Sequence, residues 1–170
     1  MATLPRHALE PLLRWRPLRE GDLACVAELE AQIHLAPWTI GNFRDALAAG
    51  YAACVGERMS QIVAYGVLML FPGEAQVLNL SVATDARRQG IGRELLRGFI
   101  DDARGFQARQ IFLEVRTSNI AAIRLYASEG FVIVARRAGY YPGATLEAAR
   151  EDALVMRRPL DANVPSTLQV

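Results

Sequence analysis

From Leu23 to Ile33 the apolar positions Leu23, Val26, Ala27 and Ile33 fall on one helical stripe, broken only by Glu30. Asp22 is placed to cap this helix and Pro37 to end it. A second short helix is expected from Thr39. The period then changes: Tyr51–Gly56, Gln61–Leu70 and Ala75–Ala83 read as strands, separated by turn signals at Met59-Ser60 and Phe71-Pro72-Gly73-Glu74, so an antiparallel meander is expected. Helical spacing returns with Ile91, Leu95, Leu96, Phe99, Ile100 and Ala103. A strand at Gln110–Arg116, a helix from Asn119 to Glu129 stopped by Gly130, and strands at Phe131–Ala135 and Ala153–Arg157 complete the pattern. With a short strand at Arg14–Leu18 in front, the chain reads as an α/β domain over 14–160. Residues 1–13 are expected to be a mobile extension and 161–170 a tail.

Composition narrows the partners more than the fold. The 170 residues, 52% of them hydrophobic, suit one compact domain with a sizeable core. A formal net charge of +1 gives no long-range field for nucleic acid or an anionic membrane. Cys25 and Cys54 are too few to staple the chain and show no paired spacing, while His7 and His34 lie far apart and away from both, so no metal is expected. The apolar run Ile62–Phe71 is too short to span a bilayer as a helix, and the N-terminus lacks a signal-peptide core. These features predict a cytoplasmic protein without membrane or nucleic-acid partners.

The run Arg87-Arg88-Gln89-Gly90-Ile91-Gly92 stands between an apolar strand and a helix, and it continues into Arg93. Two glycines two apart let the backbone turn sharply and bring several N–H groups to an anion at the positive end of a helix. A nucleoside-triphosphate loop needs Gly-Lys-Ser or Gly-Lys-Thr, whereas Gly92 is followed by Arg93 and Glu94. A dinucleotide fingerprint needs a third glycine where Leu95 stands. A pyrophosphate cradle and an ordinary strand-to-helix turn with exposed arginines both remain open on this run alone.

Glu114 sits in the middle of a strand that is otherwise nearly apolar. Alternation puts it on the same side as Phe112 and Arg116, opposite Ile111, Leu113 and Val115. It reads either as half of a structural ion pair with Arg116 or as a general base. On the next helix Asn119, Ala122, Ile123 and Tyr126 share a face, with Asn119 and Tyr126 about 10 Å apart along the axis. That separation would let one meet an extended ligand and the other its reactive end, although a core tyrosine is the commoner use of such a position.

Val77–Val82, the Arg87–Gly92 loop, Leu113–Arg116 and Asn119–Phe131 together resemble the GNAT N-acetyltransferases. Pro37-Trp38 with Phe43, Tyr140-Tyr141-Pro142 and Arg150–Ala153 resemble further the bacterial branch that acetylates the N-terminal alanine of a ribosomal protein, the small-subunit protein numbered eighteen. The resemblance spans residues 14–158. It implies a mixed, mostly antiparallel sheet splayed at the fourth strand, with acetyl-CoA in the gap. Leu80, Ser81 and Val82 would pair with the pantetheine arm as an added strand does, and the Val82 N–H would polarise the thioester carbonyl. The segment from Arg87 through Arg88, Gln89, Gly90, Ile91 and Gly92 to Arg93 would hold the pyrophosphate. Asn119 would contact pantetheine, Glu114 would be the general base and Tyr126 the general acid.

An α-amine, with a pKa of about 8, suits a carboxylate acting through one water. At pH 7 the neutral form costs about 1.4 kcal/mol, against about 4.6 kcal/mol for a lysine amine near 10.4. By the same resemblance Trp38, Tyr140 and Tyr141 would wall the acceptor peptide, while Glu147, Glu151 and Asp152 either meet a basic peptide or form a solvated face. The family's Arg-Arg-Asn-Tyr-Tyr-Pro pattern appears here with one extra residue and no asparagine, at Arg136–Pro142. The expected partner is therefore a ribosomal-protein N-terminus. Two rivals stay open: acetylation of a lysine or small-molecule amine, and a non-catalytic acetyl-CoA-binding module.

Overall fold

The computed structural model describes residues 13–143 and 148–160. The expected extension and tail fall almost wholly outside these residues, as does Glu147. The elements in chain order are β1 (Arg14–Pro17), α1 (Leu23–Ile33), α2 (Ile40–Ala48), β2 (Ala52–Arg58), β3 (Gln61–Phe71), β4 (Glu74–Val82), α3 (Ile91–Gly105), β5 (Gln110–Arg116), α4 (Ile120–Ser128), β6 (Val132–Tyr141) and β7 (Glu151–Pro159).

The strands form one sheet in the order β1-β2-β3-β4-β5-β7-β6. Every neighbouring pair is antiparallel except β4 with β5, which run parallel. The meander from β2 to β4 is as the turn signals imply: Met59 and Ser60 adopt φ of 52° and 61°, and Gly73 a φ of 83°.

Helices cover both faces. On one, α1 and α2 bring Leu23, Val26, Phe43 and Ala46 onto Val55, Tyr65 and Val67. On the other, the α3 stripe Leu95, Leu96, Phe99, Ile100 and Ala103 packs with Leu68, Val77, Ile111, Leu113 and Met156, and with Tyr126 and Phe131. Gly66 is what lets α3 approach so closely, because a Cβ there would stand 2.7 Å from the Phe99 ring.

Three elements differ from the sequence expectation. Asp22 stands at the N-cap position of α1 as expected, but its side chain makes no capping bond there; it closes a 3₁₀ turn over Glu20–Asp22 by accepting from the Arg19 N–H at 2.9 Å, and it also binds the Arg16 guanidinium. Strand β6 runs to Tyr141, well beyond Ala135. It is an edge strand exposed on both sides, so it carries no inside-outside alternation to read, and it bends at Gly139, where φ is 57°. Strand β7 starts at Glu151 because Glu151 accepts from the Ser118 N–H at 2.7 Å and Asp152 from the Gly139 N–H at 2.7 Å.

Candidate active site between the fourth and fifth strands

The parallel ladder joining β4 to β5 is short. Glu74–Val77 pair with Gln110–Leu113, and beyond that point the two strands are unpaired with each other. A bulge marks the divergence: Val67 faces Asn79 and Leu68 faces Val77, which leaves Leu78 without a partner on β3. β4 continues to Val82 along β3, and β5 continues to Arg116 along β7. A cavity of about 170 Å³ opens there, lined by residues that include His34, Trp38, Leu80, Glu114, Asn119, Tyr126 and Tyr141. Two larger clefts, of about 740 and 750 Å³, contain none of the sequence-predicted site residues.

The β4 edge supplies backbone. The Ala83 N–H bonds to the Val63 carbonyl on β3 at 2.8 Å, so strand alternation turns the N–H groups of Val82 and Leu80 the other way, into the opening. The side chains alternate too: Leu80 and Val82 lie on the α3 side near Gly92, while Asn79 and Ser81 face α1. The chain then turns through Arg88 (φ 66°) and Gly90 (φ 82°) into α3. The first bond closing that helix is from the Glu94 N–H to the Gly90 carbonyl, leaving the N–H groups of Ile91, Gly92 and Arg93 at the positive end of the helix. A Cβ on Gly92 would sit 3.5 Å from Val82 and 3.6 Å from Leu125, so the loop fits snugly over the strand end.

The loop side chains are not equivalent. Arg88 is exposed and has no partner among the described residues. Arg87 donates to the Val82 carbonyl at 3.2 Å, and Gln89 accepts from Arg58 at 2.6 Å. Arg93 is turned toward α4, donating to Ser128 at 3.1 Å and lying 3.5 Å from Glu129. That position suits tethering α3 to α4 as well as holding an anion.

Asn119 is the N-cap of α4, its Oδ1 accepting from the Ala122 N–H at 3.2 Å, and its amide nitrogen is left over. Tyr126 is buried, and burial pushes its phenol up to about 12, with Tyr141 adding to the effect.

On β5 the alternation of Glu114 against Leu113 and Val115 is as expected, and it turns Glu114 toward the α1 face. Its ion-pair partner differs from the one the strand suggests. Arg137 of β6, at 3.1 Å, holds Glu114, whose side chain is only 14% exposed. Arg116 instead binds Glu151 at 3.1 Å, donates to the Pro142 carbonyl, and lies 4.4 Å over the Tyr141 ring. Tyr141 lines the opening, whereas Tyr140 stands just outside it, 41% exposed and edge-on to Tyr141. Hydrogen bonding toward Glu114, then burial, pushes the Tyr140 phenol up. Trp38 lines the opening with its ring 5.2 Å from Phe43. Glu151 and Asp152 are spent on β7 and its neighbours rather than presented to a peptide.

Sequence reasoning missed a polar network beneath the opening. Glu30, read as a break in an apolar stripe, is 2% exposed. It accepts from the Trp38 N–H and the Asn79 side-chain amide, each at 3.0 Å, and from the Tyr65 hydroxyl. Ser81 donates to Asn79 Oδ1 at 2.9 Å, and His34 Nε2 lies 2.7 Å from Ser81 Oγ. The available signal was Glu30 itself, a charge where the stripe demands an apolar residue.

A mixed sheet opened at one parallel pair, with free strand N–H groups on one edge and a glycine-opened helix at its end, presents backbone donors suited to an extended ligand that carries an anionic group. The family model described as the acetyltransferase (GNAT) family matches residues 14–131, and the chain belongs to that family. It is 34% identical to the [ribosomal protein bS18]-alanine N-acetyltransferase of Escherichia coli strain K12 over 143 residues, covering 84% of this chain and 95% of that one. It is 38% identical over 156 residues to the N-alpha-acetyltransferase RimI of Mycobacterium tuberculosis, covering 88% of this chain and 92% of the relative. The crystal structure of the Escherichia coli ribosomal-protein-S18-alanine N-acetyltransferase superposes with a TM-score of 0.81 at 31% identity, covering 94% of this chain and all of that one. The chain is thus an acetyl-CoA-dependent N-acetyltransferase. Among the described residues no cluster suited to a metal ion occurs, and no helix is long and apolar enough to cross a membrane.

Proposed function

We propose that this enzyme transfers acetyl from acetyl-CoA to the α-amine of an alanine-initiated protein, with the ribosomal protein bS18 as acceptor, by direct transfer within a ternary complex. The observation that carries the proposal is a similarity to bS18-alanine N-acetyltransferases that runs nearly their full length, and Trp38 and Tyr141 line the opening where an acceptor peptide would enter. The site reading rests on how the two sides of that opening are furnished. The β4 edge from Leu80 through Ser81 to Val82 offers backbone groups for the pantetheine arm. The turn from Arg87 to Arg93 offers helix N–H groups and the free Arg88 for the pyrophosphate, and the Asn119 amide can donate to the arm.

Bound acetyl-CoA supplies an acyl group on a thiolate leaving group. Around it Glu114 takes a proton from the acceptor nitrogen, through one water, and the Val82 N–H stabilises the developing oxyanion. The Tyr126 phenol, kept protonated by its burial, gives its proton to the departing sulfur. Trp38 and Tyr141 flank the incoming chain, with Tyr140 at the rim. No covalent enzyme intermediate is required.

Mass spectrometry tests the acceptor. The bS18 N-terminal peptide should gain one acetyl group on its free α-amine, and the same peptide blocked at that amine but retaining lysines should gain none. Acetylation of the blocked peptide would favour a lysine acceptor instead. The Glu114→Gln and Tyr126→Phe variants should each lose about 10²–10³-fold in kcat with unchanged acetyl-CoA affinity. Unchanged turnover would remove these residues from the chemistry.

A further inference from the structure

Glu114 stands on one edge of the opening, already engaged with Arg137. His34 stands on the opposite edge, at the C-terminal end of α1, with its side chain 37% exposed and lining the same cavity. The network below fixes which ring nitrogen carries a proton. The Asn79 amide nitrogen donates to Glu30, so Asn79 Oδ1 faces Ser81 and accepts the Ser81 hydroxyl proton. Ser81 Oγ must then accept from His34, which makes Nε2 the protonated nitrogen and leaves Nδ1 with a free lone pair. Every bond in this chain points from His34 toward Glu30. Its carboxylate lies 3.6 Å from Nε2 and would stabilise an imidazolium.

We propose that His34 is a second proton acceptor for the transfer reaction: Nδ1 receives one proton from the acceptor ammonium and releases it to solvent through the exposed face of the ring. This rests on the N-terminal acetyltransferase reading above. An α-ammonium must lose two protons as its N–C bond forms and the C–S bond breaks. The first leaves through His34. The second leaves through Glu114, and it replaces the proton that Tyr126 gives to the sulfur, so the one net proton released is the one that His34 carries.

The charged groups acting on the ring are Glu30 on α1, Arg87 after β4 and Arg116 on β5, and Glu114 on β5, Tyr126 on α4 and Tyr141 on β6 line the same cavity, with Tyr65 on β3 bonded to Glu30 behind it. Burial holds the imidazole below its usual range, Glu30 opposes that, and Arg116 and Arg87 reinforce it, so His34 is neutral at pH 7 and available as an acceptor.

The test is the pH profile of kcat/KM for the acceptor peptide, measured at saturating acetyl-CoA on the wild type and on His34→Gln, whose amide can still donate to Ser81. With His34 present, ammonium is a usable substrate, and kcat/KM stays near its plateau from about pH 8 down to about 6.5. In His34→Gln only the neutral amine reacts, so kcat/KM should fall about tenfold per pH unit below about 8 and converge on the wild-type value above about 9. A loss that is the same at every pH, or an unchanged profile, overturns the proposal. Acetyl-CoA affinity and melting temperature should match the wild type in His34→Gln, and His34→Asn replaces it if that variant does not fold. The profile is read on whichever amine mass spectrometry finds acetylated. With a lysine acceptor the fall begins near 10.4 instead, so failure of the α-amine reading is seen separately from failure of the His34 assignment.

Discussion

The two sides of the opening are built by different means. The β4–α3 side presents backbone from one continuous stretch, Leu80 to Arg93, shaped by two left-handed residues and a helix start. The facing side presents side chains from α1, the α1–α2 connection, β5 and β6. These rest on a network whose members, Glu30 and Asn79, are 49 residues apart. Backbone recognition depends on φ and ψ and tolerates most side-chain changes. A side-chain network depends on each partner being present. The first should therefore fail by conformation and the second by deletion.

The largest effect is expected on the network side. Glu30→Ala strands three donors, the Trp38 N–H, the Tyr65 hydroxyl and the Asn79 amide, and should cost about 3–5 kcal/mol in urea unfolding. Glu30→Gln, which keeps an acceptor, should fall between the variant and the wild type. A cost for Glu30→Ala below about 1 kcal/mol would mean the network does not hold this side of the opening together.

On the backbone side Gly90, at φ 82°, has no neighbour within 4 Å of where a Cβ would be, so any penalty there is purely conformational. Gly90→Val should cost about 1–3 kcal/mol, seen as a 10- to 100-fold rise in the acetyl-CoA Kd by calorimetry if the loop relaxes to escape the strain. Gln89→Ala, one residue away, should change the Kd little. Equal effects of the two would show that side chains matter on this side as well.

The smallest effect concerns the buttress behind Tyr141. Hydrogen bonds from Ser118, and from Arg116 and Thr117, hold the Glu151 carboxyl down at about 2 from an ordinary 4.5. A depressed folded-state pKa contributes stability above the ordinary value that is lost as pH falls through the folded one. The melting temperature of Glu151→Gln should therefore lie below that of the wild type at pH 7, and the gap should narrow below pH 4.5 and close toward pH 2. A gap independent of pH would assign the effect to packing instead.

Legibility in the sequence followed the same division. The α3 stripe, the β2–β4 meander and the glycine turn are local: each is a period or a dihedral demand expressed within a dozen residues, so pattern alone finds them. The resemblance located Glu114, Asn119 and Tyr126, and the structure brings all three to one opening. What pattern could not yield was partnership. Arg116 is the nearest cation on Glu114's own side of the strand, yet its reach is taken by Glu151 and Tyr141, and Arg137 arrives from an edge strand with no readable alternation.

By itself, then, the sequence determined the elements, their order, the turn that opens α3 and the family to which the chain belongs, because these depend on short-range periodicity, backbone permission and motif. Only the tertiary structure decided that β4 parts from β5 after Val77, that Glu114 pairs with Arg137, and that Glu30, Tyr65, Asn79, Ser81 and His34 form one directed chain beneath the opening. The physical reason is reach. A buried charge must find its donors wherever the fold places them, and here those donors come from strands and connections that no local window contains.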